Sequence, residues 1–81
     1  MKNSDLVKLG KRIQQLRQGQ GISQEDFANK YEISRSYMSD VERGARNISV
    51  KMLLHIQRSL DVPMACLFDW ELSGDPKSKG S

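Results

Sequence analysis

At 81 residues the chain has room for one domain, whose core supplies only about 3 to 5 kcal/mol of net stability. Lys and Arg outnumber Asp and Glu by 13 to 10, and the lone cysteine, Cys66, excludes an intrachain disulfide and a cysteine-cluster metal site. No apolar run approaches the roughly 20 residues of a membrane span, and the polar start has no signal-peptide core, so a soluble, cytoplasmic protein with no membrane contact is expected.

The charge is unevenly placed. Residues 2–58 carry 11 basic and 6 acidic side chains, net +5, whereas 61–75 carry 4 acidic and no basic ones. Ser4 or Asn3 can cap a first helix with Leu6, Leu9, Ile13 and Leu16 on one side and Lys8, Lys11, Arg12 and Gln15 on the other, ending near Gly19 and Gly21. Ser23 is placed to cap a second helix, with Gln24, Glu25 and Asp26 in its first turn and Phe27, Ala28 and Tyr31 as an apolar stripe. Ser34 begins a third, in which Tyr37, Met38 and Val41 recur at helical spacing until Gly44 stops it.

Ser49 can cap a fourth helix carrying Val50, Leu53, Leu54, Ile56 and Leu60. Residues 61–63 end it, and Pro63 suits the first turn of a short last helix. From Met64 onward there are more large apolar residues than one helix face can hide. Met64, Leu67, Phe68 and Trp70 are therefore assigned to a homodimer interface, with closure of the monomer core as the alternative. Residues 73–81 contain no apolar side chain and read as a flexible tail, leaving 1–72 as the folded domain. Five helices with no period-two alternation define an all-α class, a compact five-helix domain.

The second and third helices are joined so tightly that they must cross steeply. One face of the third is apolar and holds it, while Arg35, Ser36, Ser39, Asp40 and Arg43 are left polar and outward. Such a face on a small basic domain fits the DNA major groove. The ordered series Leu9-Gly10-Lys11-Arg12-Ile13, Leu16-Arg17, Ile22-Ser23-Gln24-Glu25-Asp26-Phe27-Ala28, Ser34-Arg35-Ser36-Tyr37-Met38-Ser39, Val41-Glu42-Arg43-Gly44 and Leu60-Asp61-Val62 resembles the Cro and phage-repressor type of helix-turn-helix regulator. Within it, residues 34–39 and 43–49 look most like the controller proteins of restriction-modification systems. Family members often carry Gly in the turn between the two helices; here it is Glu32, at a cost of about 1 kcal/mol if the turn keeps a positive φ.

The resemblance implies a lambda-repressor-like fold and a homodimer on a pseudo-palindromic operator in double-stranded DNA. It implies control of restriction-modification genes including the protein's own, with RNA polymerase as a further partner. A phage or plasmid repressor, or an autoregulating antitoxin, would keep the fold and change the circuit; a protein-binding adaptor would keep the fold without DNA. Base readout is assigned to Arg35, whose planar fork matches guanine O6 and N7, with Ser36, Tyr37, Ser39 and Asp40 beside it. For Asp40 an intraprotein bond to a cation competes with readout of cytosine. Gln24, Ser34, Arg43, Arg46 and Asn47 are assigned to the DNA backbone, and Arg46 alternatively to a narrow minor groove. Arg17 and Glu42 stand where the family pairs an arginine with a glutamate across the domain; a phosphate contact is the alternative for Arg17. His55 has no metal-ligand partner at useful spacing, Cys66 lies in an apolar segment that raises a thiol pKa, and no glycine-rich phosphate loop occurs. No enzyme, metal site or cofactor is expected.

Overall fold

In the computed structural model, which describes residues 4–68, five helices follow in order: α1 Ser4–Gly19, α2 Gln24–Lys30, α3 Arg35–Arg43, α4 Val50–Leu60 and α5 Met64–Leu67. No strand occurs among the described residues. The start signals are local, so they survive into the structure. Ser23 Oγ accepts the Asp26 N–H at 3.0 Å, Ser34 Oγ that of Tyr37 at 3.2 Å and Ser49 Oγ that of Met52 at 3.1 Å. Each such cap contributes about 1 kcal/mol. Pro63 stands one position earlier than expected, at the N-cap of α5 and not in its first turn.

The core is contributed by every helix and by the α2–α3 turn: Leu9 and Ile13 from α1, Phe27 and Ala28 from α2, Ile33, then Met38 and Val41, Ile56 and Leu60, and Leu67. Leu67, expected at a subunit interface, is wholly enclosed within its own subunit. The last helix is so short that its one inward position must close the core. Met64 and Phe68 are half-buried against the same core and keep exposed surface, while Trp70 lies outside the described residues, as do 69–72 of the expected domain and the expected tail. Leu53 and Leu54 of α4 are also half-buried.

Two glycines bring α1 against the end of α3. A Cβ at Gly10 would stand 2.7 Å from the Glu42 carbonyl oxygen, and one at Gly44 would stand 2.6 Å from Val7 Cα. Gly44 also needs its positive φ of 73°, because it ends α3 with paired bonds from Gly44 N–H to Val41 O and from Ala45 N–H to Asp40 O. The same device ends α2: Ile33 N–H reaches Ala28 O at 2.8 Å and Glu32 N–H reaches Asn29 O at 3.4 Å. Glu32 occupies the left-handed position there at φ 58°, so the turn keeps the conformation glycine would favour despite its side chain. Asp61 does likewise after α4, also at φ 58°.

Candidate nucleic-acid interface

What fixes α3 is a buried polar lock as well as apolar packing. Arg17 Nε donates to Glu42 Oε2 at 2.7 Å and its Nη2 to Oε1 at 2.9 Å, a two-pronged pair with side-chain exposures of only 6% and 2%. Arg17 Nη1 also donates to the Ile22 carbonyl at 2.7 Å, and Gln24 Nε2 adds a third bond to Glu42, 3.0 Å from Oε1. One carboxylate thus ties α1, the start of α2 and α3 together. Enclosed as it is, the Arg17 guanidinium is spent inside the protein and not on a phosphate. Gln24, expected at the DNA backbone, directs its amide N–H to Glu42.

The opposite face of α3 is open. Arg35 and Ser36 are exposed at its N-terminal end, Tyr37 and Ser39 half-buried, and Arg43 exposed at its C-terminal end. Ser34 uses its hydroxyl oxygen as the helix cap, which leaves its proton to point elsewhere. Across the gap between helices, Arg35 Nη1 lies 3.8 Å from Glu25 Oε2, with both side chains more than half exposed. In the sequence Glu25 stands out only as a favourable charge at the head of α2. Its signal was present in principle, since both residues open their helices and the tight turn brings those helix starts together.

At the far end, Asp40 accepts from two arginines: Arg43 Nη2 at 2.5 Å, and Arg46 through Nη2 at 3.1 Å and Nε at 3.3 Å. The Arg46 guanidinium lies over the Tyr37 ring, 4.7 Å from its centroid. The Arg46 hydrogen bond first, with the Arg43 bond and the charges of both arginines, holds the Asp40 carboxyl below its ordinary range against the opposing effect of partial burial. In this structure Asp40 is bonded to cations, the alternative weighed above against readout of cytosine. Asn47 is exposed beside this cluster. The geometry is a helix with one guanidinium at its leading end and two at its trailing end, all on the side turned from the core.

A helix-turn-helix family model matches residues 13–65. Over 80 residues the chain is 32% identical to the control protein C.BamHI of Bacillus amyloliquefaciens, covering 98% of this chain and 99% of that one. The chain belongs to the helix-turn-helix controller proteins of restriction-modification systems. This is a family of DNA-binding transcription regulators.

Solved controller proteins share the fold. The restriction-modification controller protein C.AhdI of Aeromonas hydrophila superposes with a TM-score of 0.76 at 42% identity, over 82% of this chain and all of that one. The controller protein C.Esp1396I, solved as a tetramer with its natural 35 base-pair operator, superposes at 0.77 with 32% identity, over 89% and 95% of the two chains. The family explains the order of parts along the described residues. It leaves two other features as they were found: the half-buried His55, whose Nε2–H donates to the Tyr31 carbonyl at 2.7 Å, and the half-buried Cys66, whose carbonyl accepts from Arg12 Nε at 2.7 Å. Among the described residues no group of three His, Cys, Asp or Glu is placed to hold a metal, and no helix is long and apolar enough to cross a membrane.

Proposed function

We propose that this chain is a sequence-specific transcription regulator that binds a pseudo-palindromic operator as a homodimer, each subunit laying α3 in a major groove. The observation that carries the reading is the division of α3. Met38, Val41 and Glu42 are locked inward, while Arg35 and Ser36 stand exposed at the leading end of a helix that a family of operator-binding regulators shares. Arg35 reads guanine, with Ser36, Tyr37 and Ser39 as neighbouring contacts; Ser34, Arg43, Arg46 and Asn47 meet the backbone. Two-fold symmetry places the half-sites about one helical turn, roughly 10 base pairs, apart. Kinship with C.BamHI and C.AhdI supports control of restriction-modification genes, the protein's own among them, through promoter DNA that RNA polymerase also uses.

Selection of sites from random duplex DNA tests this, run in parallel for wild type and Arg35→Ala and followed by a salt titration. The expected result is a pseudo-palindrome whose guanine preference disappears in the variant, at a loss of about 1 to 3 kcal/mol for the matched site, with affinity falling steeply as salt rises. If a folded wild type enriches no sequence, the regulator reading fails and a protein-binding adaptor takes its place.

A further inference from the structure

A carboxylate beside the phosphate-facing cations of α3 calls for a reason, because it repels the ligand those cations attract. Stability supplies only a small one. Asp40 lies in the C-terminal half of α3, where the helix dipole disfavours a negative charge, and the pairs it makes are with arginines whose side chains are 64% and 45% exposed. Its placement is nevertheless specific. The Asp40 carbonyl accepts the Ala45 N–H at 2.9 Å, which sets the course of the chain after α3. Its carboxylate then takes Arg46 from that loop through two N–H groups and Arg43 from its own helix through one. Arg46, held this way, is stacked on Tyr37.

Resting on the operator-binding reading above, we propose that Asp40 is a specificity-determining positioning residue, which clamps Arg43 and Arg46 so that they serve a matched site and contribute little to binding of unmatched DNA. A guanidinium has five N–H donors. Arg46 spends two and Arg43 one on Asp40, so both keep donors for a phosphate that arrives in the right place. In a matched complex, with Arg35 seated on its base, those phosphates are presented in register. The arginines then need no further ordering, which removes part of the entropic cost of binding. On unmatched DNA the helix has no fixed register, and affinity comes from cations swinging to whichever phosphate is near. Asp40 opposes that by holding both arginines and by lowering the local charge from +2 to +1.

The test is a double-variant cycle on Asp40→Asn and Arg46→Ala. It measures affinity for the selected operator and for a scrambled duplex of equal length across a salt series. In Asp40→Asn, affinity for the scrambled duplex should rise about fivefold and its log-log salt slope steepen by about 0.9, the value of one additional phosphate neutralised. Operator affinity should change by less than about twofold, so the ratio of specific to unspecific binding falls. Adding Arg46→Ala to Asp40→Asn should return scrambled-duplex affinity close to wild type, whereas Arg46→Ala alone should lower it much less. A merely structural role for Asp40 would weaken both duplexes together, and a merely electrostatic one would strengthen both equally; either result overturns the clamp. A wild type with no preferred sequence defeats the operator reading itself before any variant is made. A selective wild type whose preference survives Asp40→Asn defeats only the role of Asp40.

Discussion

Arg17 and Glu42 meet through two parallel bonds, 2.7 and 2.9 Å long, with almost no solvent at either side chain, 25 residues apart in the chain. Neither charge has water to fall back on. The carboxylate also accepts from Gln24, and the guanidinium also donates to the Ile22 carbonyl, so each partner is bonded to a further group besides the other.

Removing one partner should therefore be far more damaging than removing both. Arg17→Ala or Glu42→Ala leaves an uncompensated buried charge and should lower unfolding free energy by about 3 to 5 kcal/mol, read from urea titration. The double change Arg17→Met with Glu42→Leu should recover at least half of that loss, since well-packed apolar side chains can replace a buried pair. If Arg17→Met and Glu42→Leu, each also made singly, simply add in the double variant, the pair is not a coupled unit.

Backbone conformation predicts opposite signs at two left-handed positions. Glu32 carries a side chain at φ 58°, and Glu32→Gly should raise stability by up to about 1 kcal/mol. Gly44 at φ 73° stands against Val7, so Gly44→Ala meets both the backbone penalty and the Val7 backbone and should cost about 2 to 4 kcal/mol. Thermal melts of the two variants should move in opposite directions. A shared direction would mean that the α2–α3 turn does not hold its left-handed residue in solution.

How much of this was readable in advance follows the range of each interaction. Ser23, Ser34 and Ser49 announce their helices because a cap bonds an N–H three residues away. The Arg17–Glu42 lock came from likeness to a family; nothing in either residue's neighbourhood names the other. Asp61 at φ 58°, the Glu25–Arg35 approach and the bond from Arg12 to the Cys66 carbonyl, 54 residues away, are set by how finished helices lie together. Leu67 shows the same limit. Its apolarity is plain, but whether an apolar residue faces its own core or a partner is decided by which position of a four-residue helix points inward.

Acid titration should reveal the Asp40 clamp directly. The carboxyl is held below its ordinary value of 3.8, first by the hydrogen bond from Arg46, with the bond from Arg43 and the charges of both adding to it against partial burial. A folded-state value that is depressed contributes stability that is complete above the ordinary value and is lost as pH falls through the lowered one. The clamp should thus be intact throughout the neutral and mildly acidic range. Carboxyl-carbon NMR should place the Asp40 midpoint below 3.8, and Arg46→Ala should move it back upward. A midpoint at or above 3.8 in the wild type would contradict the bonding described for this cluster.

Leu67 and Met64 sit three residues apart on α5 and should respond to truncation in different currencies. Leu67 is wholly enclosed in its own subunit, so Leu67→Ala should lower the unfolding free energy by about 2 to 5 kcal/mol through the cavity it leaves. That loss belongs to the subunit fold and should appear whether or not partners are in contact. Met64 is half-buried and, on the homodimer reading, meets a second copy with its remaining surface. Met64→Ala should then weaken dimerisation about tenfold in sedimentation equilibrium while subunits remain helical by circular dichroism. An unchanged dimer in Met64→Ala, and again in Phe68→Ala, would move the interface away from α5, and the half-buried Leu53 and Leu54 of α4 would be the surface to truncate next.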